Sequence, residues 1–339
     1  MESVVKSWEG RRVFVTGATG LLGAWLVDEL VRRGAEVVCL VRDWLPDTHF
    51  VRADLAARTT LVHGDLVDHP LLVRALNEHE IDSVFHLGAQ TIVGVASRHP
   101  LSTFESNVRG TWNLLEAARA CGPRIARVVV ASSDKAYGQQ EVLPYTEATA
   151  LEGRFPYDVS KSCADLIALS YFHTYRLPVA ITRCGNLFGG GDLNFNRLVP
   201  GTIRSALRGE SPVIRSDGRY VREYFYVRDA VDAYLALAER VPDLAGHAFN
   251  FGSGETYTVL EMVEKILAVM GKTALAPTVL NQAVHEIPEQ ALDCGKAKAV
   301  LGWEPTFRLE AGLRETVAWY ETYLAQGHPV RPAAGPVDA

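Results

Sequence analysis

Three glycines set three residues apart, in Gly17-Ala18-Thr19-Gly20-Leu21-Leu22-Gly23, constrain this chain more than any other feature. They follow Arg12-Val13-Phe14-Val15-Thr16, whose apolar, β-branched run predicts a buried strand. A helical pattern comes next, with Leu22, Leu26 and Leu30 on one face. A glycine turn between a first strand and its helix is the context of a dinucleotide fingerprint. The glycines permit a tight turn and close backbone approach, while the helix N-terminus offers free N–H groups to a pyrophosphate. A plain glycine-rich turn would use the same residues; the position directly after the first strand favours the fingerprint.

The next segments repeat the alternation. Gly34 stops the helix, and Glu36–Val41, Ser83–Leu87, Arg127–Ser132 and Val179–Arg183 predict further strands with helices between them. This order argues for an α/β fold, a Rossmann-type doubly wound parallel sheet covered on both faces. After Gly185 the texture changes, with a loop-rich stretch from Gly189-Gly190-Gly191-Asp192 through Pro200 and Pro212. Arg222–Glu239 reads as strand plus helix, and Thr258–Met270 and Leu309–Gln326 as helices of a smaller C-terminal part. The expected division is a dinucleotide-binding domain from 1–185 and 220–251, and a substrate-binding domain from 186–219 and 252–328. The Pro/Ala-rich segment 329–339 is expected to be a disordered tail.

Composition excludes several classes. A net charge of −6 with no Lys/Arg run leaves no basic stripe for nucleic acid. The five cysteines are scattered without Cys-x-x-Cys or Cys/His spacing, so no metal site is expected and they read as reduced packing thiols. No stretch approaches the roughly 18 apolar residues of a membrane span, and Met1–Arg12 lacks a signal-peptide pattern. The expectation is a cytoplasmic enzyme with no membrane partner.

The choice between the two nicotinamide dinucleotides is read at the end of the second strand, where an acid would meet the ribose 2′-hydroxyl. Val41 stands there, followed by Arg42 and Asp43. Arg42 could pair with a 2′-phosphate or stack on the adenine, and Asp43 could still reach a ribose hydroxyl; Arg42 tips the reading slightly from NAD toward NADP. Asp65, after a third strand, is placed to meet the adenine amino group, although Gly-Asp is also a common turn.

Tyr157-Asp158-Val159-Ser160-Lys161 sets a phenol and an ammonium at i and i+4, neighbours on one helix face. A nearby cation favours the phenolate, so Tyr157 is expected to have a lowered pKa suited to proton transfer.

With the glycine spacing and the upstream Ser133, this pair carries a resemblance. From about Arg11 to Leu324 the chain resembles the extended short-chain dehydrogenase/reductases of the sugar-nucleotide epimerase/dehydratase family. The resemblance rests on Gly17–Gly23, His86-Leu87-Gly88-Ala89-Gln90, Asn107-Val108-Arg109-Gly110-Thr111, Ser132–Gly138, Tyr157–Lys161, Arg183–Asn186, Arg222–Val227 and Leu301-Gly302-Trp303-Glu304-Pro305. It implies a tightly held nicotinamide that removes hydride from C4 of a nucleotide-linked sugar and later returns it. Gly17, Thr19, Gly20, Leu21 and Leu22 would cradle that cofactor, with Arg42, Asp65, Leu66, Leu87, Gly88 and Ala89 along its length. Ser133 and Tyr157 would hold the C4 hydroxyl, Lys161 would grip the ribose, and Asn107 would support the active-site helix. Gln90, Thr91 and Asn186 would face the sugar.

Asp134-Lys135 separates the family's reactions. By resemblance, epimerases carry small unreactive residues there, whereas 4,6-dehydratases carry an acid followed by a base. Those acting on CDP-glucose, and the inverting UDP-N-acetylglucosamine enzymes, share Asp-Lys. Oxidation at C4 acidifies the C5 proton, so Lys135 would remove it while Asp134 protonates the departing O6 hydroxyl. Lys135 then needs a depressed pKa and Asp134 a raised one. Two solvated charges on a surface turn would be the structural alternative, but the pair follows the strand that supplies Ser133. The leading expectation is a 4,6-dehydratase, with CDP-glucose as its substrate. A 4-epimerase, a sugar-nucleotide reductase and an inactive cofactor-binding protein are the alternatives.

Arg197 and Arg222 would clamp the diphosphate, since guanidinium forks suit phosphate oxygens. Gly189–Asp192 followed by Arg197 again resembles the CDP-glucose enzymes, but Leu193 stands where those usually show Trp, and Arg222–Val227 follows the general family pattern. Leu114, Leu115 and Ala118, with Leu166, Leu169 and Ser170, fit helix faces that pair in family homodimers; they fit core positions equally well.

Overall fold

The computed structural model describes residues 8–282 and 286–326. The tail expected at 329–339, and Met1–Ser7 of the start, lie outside the described residues.

The strands are β1 (Arg12–Thr16), β2 (Glu36–Val41), β3 (Thr60–His63), β4 (Ser83–His86), β5 (Arg127–Ala131), β6 (Val179–Cys184), β7 (Asn186–Phe188), β8 (Val213–Ile214), β9 (Val221–Tyr226), β10 (Ala248–Phe251), β11 (Thr256–Thr258) and β12 (Thr278–Val279). Seven of them form one sheet in the order β3-β2-β1-β4-β5-β6-β10, every neighbouring pair parallel. The chain winds outward from β1 to β3, then returns to lay β4 on the other side of β1. That reversal opens a crevice beyond the carboxyl ends of β1 and β4, the usual ligand position in such sheets.

The continuous apolar strands follow from burial on both faces. Val13, Val15 and Cys39 point into one core with Leu26 and Leu30 of helix Leu21–Arg32 and Ala230 and Leu237 of helix Val227–Leu244. Their neighbours Phe14, Val38 and Leu40 enter the opposite core, against Leu114, Leu115 and Ala118 of helix Gly110–Ala120. Those last three side chains are fully buried under the sheet, so they are core residues. The faces turned outward carry Trp112 and Leu166 instead, 43% and 56% exposed.

Beyond β6 the chain departs from the simple alternation. β9 leaves the large sheet to join β7 and β11, while the helix directly after it packs back on β5 and β6. β10, which the periodicity did not reveal, then extends the large sheet. Gly189-Gly190-Gly191 is a packing crossover: a Cβ on Gly190 would fall 2.3 Å from the Trp319 ring, and Trp25 Nε1 donates to its carbonyl at 2.8 Å. Helix Val259–Val269 opens with a full capping box between Thr258 and Glu261. No helix among the described residues is long and apolar enough to cross a membrane.

Candidate active site

The phosphate turn is built as its glycines require. Gly17 has φ +72°, and a Cβ there would sit 2.7 Å from the Gly88 nitrogen, so β1 and β4 could not deliver their loops this closely with any other residue. Gly23 is needed for packing, since its Cβ would meet the Gly17 carbonyl at 2.1 Å. Gly20, at the helix start, is exposed and meets nothing closer than 3.3 Å. An open glycine face at a helix N-terminus fits a pyrophosphate. Thr19 and Leu21 flank it half-buried, and Leu22 turns into the core. Leu87, Gly88 and Ala89 continue from β4, with the Gly88 N–H donating to Thr16 Oγ1 at 3.0 Å. Leu66 packs beneath Gly88 and Gly110.

At the far end of the crevice Arg42 is held between carboxylates. Its Nε donates to Asp43 at 2.7 Å, and its Nη1 lies 3.9 Å from Asp65. Asp65 also accepts from the Val67 N–H at 3.1 Å.

Two buried polar networks fix the floor. His86, which no sequence signal marked beyond its place in a quoted motif, bonds Thr16 Oγ1 at 2.9 Å and Thr111 Oγ1 at 3.0 Å. Burial, then the Lys161 charge, push its pKa down to about 3, so it is neutral and structural. Asn107 lies in a five-residue π turn, Glu105–Arg109. Its carboxamide accepts from the Gln90 N–H at 2.7 Å, and donates to the Gln90 carbonyl at 3.0 Å and to Ser160 Oγ at 2.9 Å. Ser160 in turn donates to the Tyr157 carbonyl at 2.7 Å. Asn107 thus ties the loop after β4 to the start of helix Pro156–Tyr175.

The groups that the sequence marks for proton transfer gather above this floor. Ser133 caps a short turn, Asp134–Tyr137, and its Oγ donates to Asp134 at 2.9 Å. Asp134 is 2% exposed; burial raises its pKa against the Lys135 charge. Burial lowers that of Lys135, against the Asp134 charge. The two are pushed toward each other, the pattern of an acid paired with a base. The turn is anchored from below: Tyr137 accepts from Arg183 Nη1 at 2.9 Å, and Arg183 forms a buried fork with Asp165 at 2.8 and 2.9 Å.

Tyr157 departs from the expected direction. Burial raises its phenol well above the ordinary value, and the leading opposing charge is Arg197, not Lys161. Lys161 is buried, brought down to about 8 by desolvation, and donates to the Ala131 carbonyl at 2.9 Å. Desolvation of the phenol dominates, and the Lys161 ammonium is engaged by the Ala131 carbonyl.

Arg197 donates to Asp192 at 3.1 Å and to Thr91 Oγ1 at 2.8 Å, joining the loop after β4 to the glycine crossover. Arg222 bonds the Pro288 carbonyl and Glu286, both at 3.2 Å. The charges of both arginines act on this cluster: Arg197 on Tyr157, Arg222 on Asp134 and Lys135. Asn186 opens β7 beside Tyr224 of β9. Gln90 is half-buried and Thr91 exposed. Two neighbours were missed by sequence reasoning. Asp158 is 3% exposed, and burial raises its pKa to about 6. Gln290, fully buried, accepts from Lys135 Nζ at 2.9 Å. No group of three or more metal-ligating side chains occurs among the described residues.

Comparison with known proteins identifies the family. The family model described as GDP-mannose 4,6 dehydratase matches residues 14–316. The chain is 32% identical over 337 residues to a CDP-glucose 4,6-dehydratase of Salmonella typhimurium, covering 94% of this chain and 92% of that one. Among solved structures it is similar to a dTDP-glucose 4,6-dehydratase from Streptomyces venezuelae with NAD bound, at 30% identity and TM-score 0.86, covering 94% of this chain and 100% of that one. A UDP-glucose 4-epimerase from Thermotoga maritima matches at 27% identity and TM-score 0.84, over 92% and 99% of the two chains. The chain belongs to the GDP-mannose 4,6 dehydratase family, and within the short-chain dehydrogenase/reductase fold it is an enzyme of the sugar-nucleotide 4,6-dehydratase type.

Proposed function

We propose that this enzyme removes water from a nucleoside-diphosphate hexose, CDP-glucose as the leading candidate, to give the 4-keto-6-deoxy sugar. The observation that carries the reading is the buried Asp134–Lys135 pair on the turn that also supplies Ser133. An epimerase needs no such pair, and its fold is equally similar, so the pair and not the fold supports dehydration.

The residues divide the work. Tyr157, as the phenolate, takes the proton of the C4 hydroxyl, aided by Ser133; burial disfavours that form, and the Arg197 charge opposes burial. A bound nicotinamide supplies the hydride acceptor for C4 and the same hydride for C6. Lys135, as the free amine, takes the C5 proton, and the C5–H electron pair forms the C5=C6 double bond as the C6–O bond breaks. Asp134 gives its proton to the departing oxygen, which leaves as water. Lys135 then returns its proton to C5 as C6 receives the hydride; Tyr157, now the phenol, donates to the C4 ketone, and on product release its proton replaces the one that Asp134 gave to water. The protonation states match: Asp134 is held toward the acid and Lys135 toward the amine.

The cradle of Gly17, Gly20 and Gly88, with buried Lys161 at the ribose, would hold the cofactor. NAD is favoured over NADP, against the slight lean of the sequence, because Arg42 is already engaged by Asp43 and lies near Asp65. Those acids suit a ribose diol and repel a 2′-phosphate. A homodimer through the outward faces of helices Gly110–Ala120 and Pro156–Tyr175 would cover Trp112 and Leu166. The test is mass spectrometry of the purified protein with CDP-, dTDP- and UDP-glucose. Loss of one water from one of them supports the reading, and a sugar changed without change of mass overturns it.

A further inference from the structure

We propose that Gln290 is a positioning residue for the elimination step: its carboxamide, delivered by a segment far along the chain, holds the Lys135 amine over the sugar's C5. This rests on the dehydratase reading above and names a further residue for it.

The geometry is specific. Gln290 is fully buried, and its Oε1 accepts from Lys135 Nζ at 2.9 Å. The amide oxygen faces the Lys135 nitrogen, which can donate both as ammonium and as amine, and the Nε2 faces away. That Nε2 is buried with no hydrogen-bond partner among the described residues, which is costly unless something else accepts from it. The carboxamide therefore has its oxygen on the base and its nitrogen turned into the packed surroundings. The segment is fixed by backbone pairing: the Gln290 N–H donates to the Val221 carbonyl at 3.2 Å, Glu289 bridges Val221, and Leu292 bridges Tyr145. Tyr145 packs on Tyr137 of the Asp134 turn and shares a buried cluster with Leu292, so the turn that carries Lys135 and the segment that carries Gln290 are packed together.

The choice of a neutral amide has a physical reason. The charges facing Lys135 are Asp134 on its own turn, Asp158 on helix Pro156–Tyr175, Arg222 on β9, and Glu286 on the same segment as Gln290. Glu286 and Glu289 of that segment are exposed, and Glu286 is paired with Arg222. A carboxylate in place of Gln290 would stabilise the ammonium and suppress the amine. A carboxamide fixes the nitrogen through a dipole and leaves it able to release its proton.

The test compares wild type, Gln290→Glu, Gln290→Met and Lys135→Ala in the full-length protein with its bound cofactor and the hexose nucleotide that wild type dehydrates. Gln290→Glu is expected to move the acidic limb of the kcat–pH profile upward by about 1–3 pH units, hence a loss of about 10–1000-fold at pH values below that limb. Gln290→Met, which keeps volume without the acceptor, is expected to lower kcat with little change in KM and to let reduced nicotinamide build up during turnover. Thermal melting of both variants identifies misfolding separately, and the limb of whichever variant folds decides. If both keep the wild-type limb and kcat while Lys135→Ala has lost water elimination, Gln290 has no positioning role and the dehydratase reading stands. If wild type eliminates water from no sugar nucleotide, the reading fails and takes this inference with it.

Discussion

Asp158→Asn is expected to stabilise this protein at neutral pH and to shift its pH–activity profile. The carboxyl follows Tyr157 on the active-site helix and is 3% exposed. Burial leads the rise of its pKa, with Lys135 pulling it down and Asp134 pushing it up. A rise from the ordinary 3.8 to about 6 spans about 2 pH units, or about 3 kcal/mol of penalty when the group is charged. Screening by water in the cleft trims this to about 1–2 kcal/mol. The sign follows from proton binding. Between pH 4 and 6 the folded state holds a proton that the unfolded chain releases, so this carboxyl favours folding below pH 4, and that contribution is lost as pH rises through 6. An isosteric amide escapes the penalty. Urea unfolding at pH 7.5 should therefore show the variant more stable by about 1–2 kcal/mol, with the gain fading toward pH 4. Removing a negative charge near Lys135 should also shift the acidic limb of the activity profile downward. A variant less stable at pH 7.5, or a gain that does not depend on pH, would refute the placement of a charged carboxylate there.

Other outcomes are expected from the same geometry. Tyr157→Phe removes the proton acceptor for C4 oxidation, so neither reduced nicotinamide absorbance nor product should form, a loss of about 10²–10⁴-fold. Lys135→Ala should still reduce the cofactor on mixing with substrate, seen as a rising nicotinamide absorbance, while water loss falls by a similar factor. Arg183→Met leaves Asp165, fully buried, without its fork and should cost about 3–5 kcal/mol in urea unfolding, whereas the pair replaced together should cost much less. Arg42→Ala should alter NAD affinity, measured by calorimetry, by less than about tenfold, since its guanidinium is already engaged by Asp43.

The fold was legible wherever burial on both faces forced a periodic apolar run, as in β1 and β5, and wherever glycine was sterically required, as at Gly17. Ser133, Asp134 and Lys135 were legible because one turn carries all three. Gln290 was not, because it reaches Lys135 across 155 residues from a segment with no periodicity. Asp158 was hidden by its neighbours: between Tyr157 and Lys161 it reads as a solvated helix position, and only the packing of the Asp134 turn on that helix buries it. Helix faces misled in another way. Leu114, Leu115 and Ala118 satisfy a dimer stripe and a sheet-covering stripe equally, and the sheet claims them. The direction of the Tyr157 pKa depended on desolvation, which spacing between Tyr157 and Lys161 does not reveal.

A hexose nucleotide carrying deuterium at C4 follows the hydride itself. Transfer through the bound cofactor to the carbon vacated by water should deliver a product lighter by one water, with the deuterium now on C6. Deuterium still at C4 in a sugar of unchanged composition would show that Asp134 and Lys135 do not expel the hydroxyl, and would contradict the account at its centre.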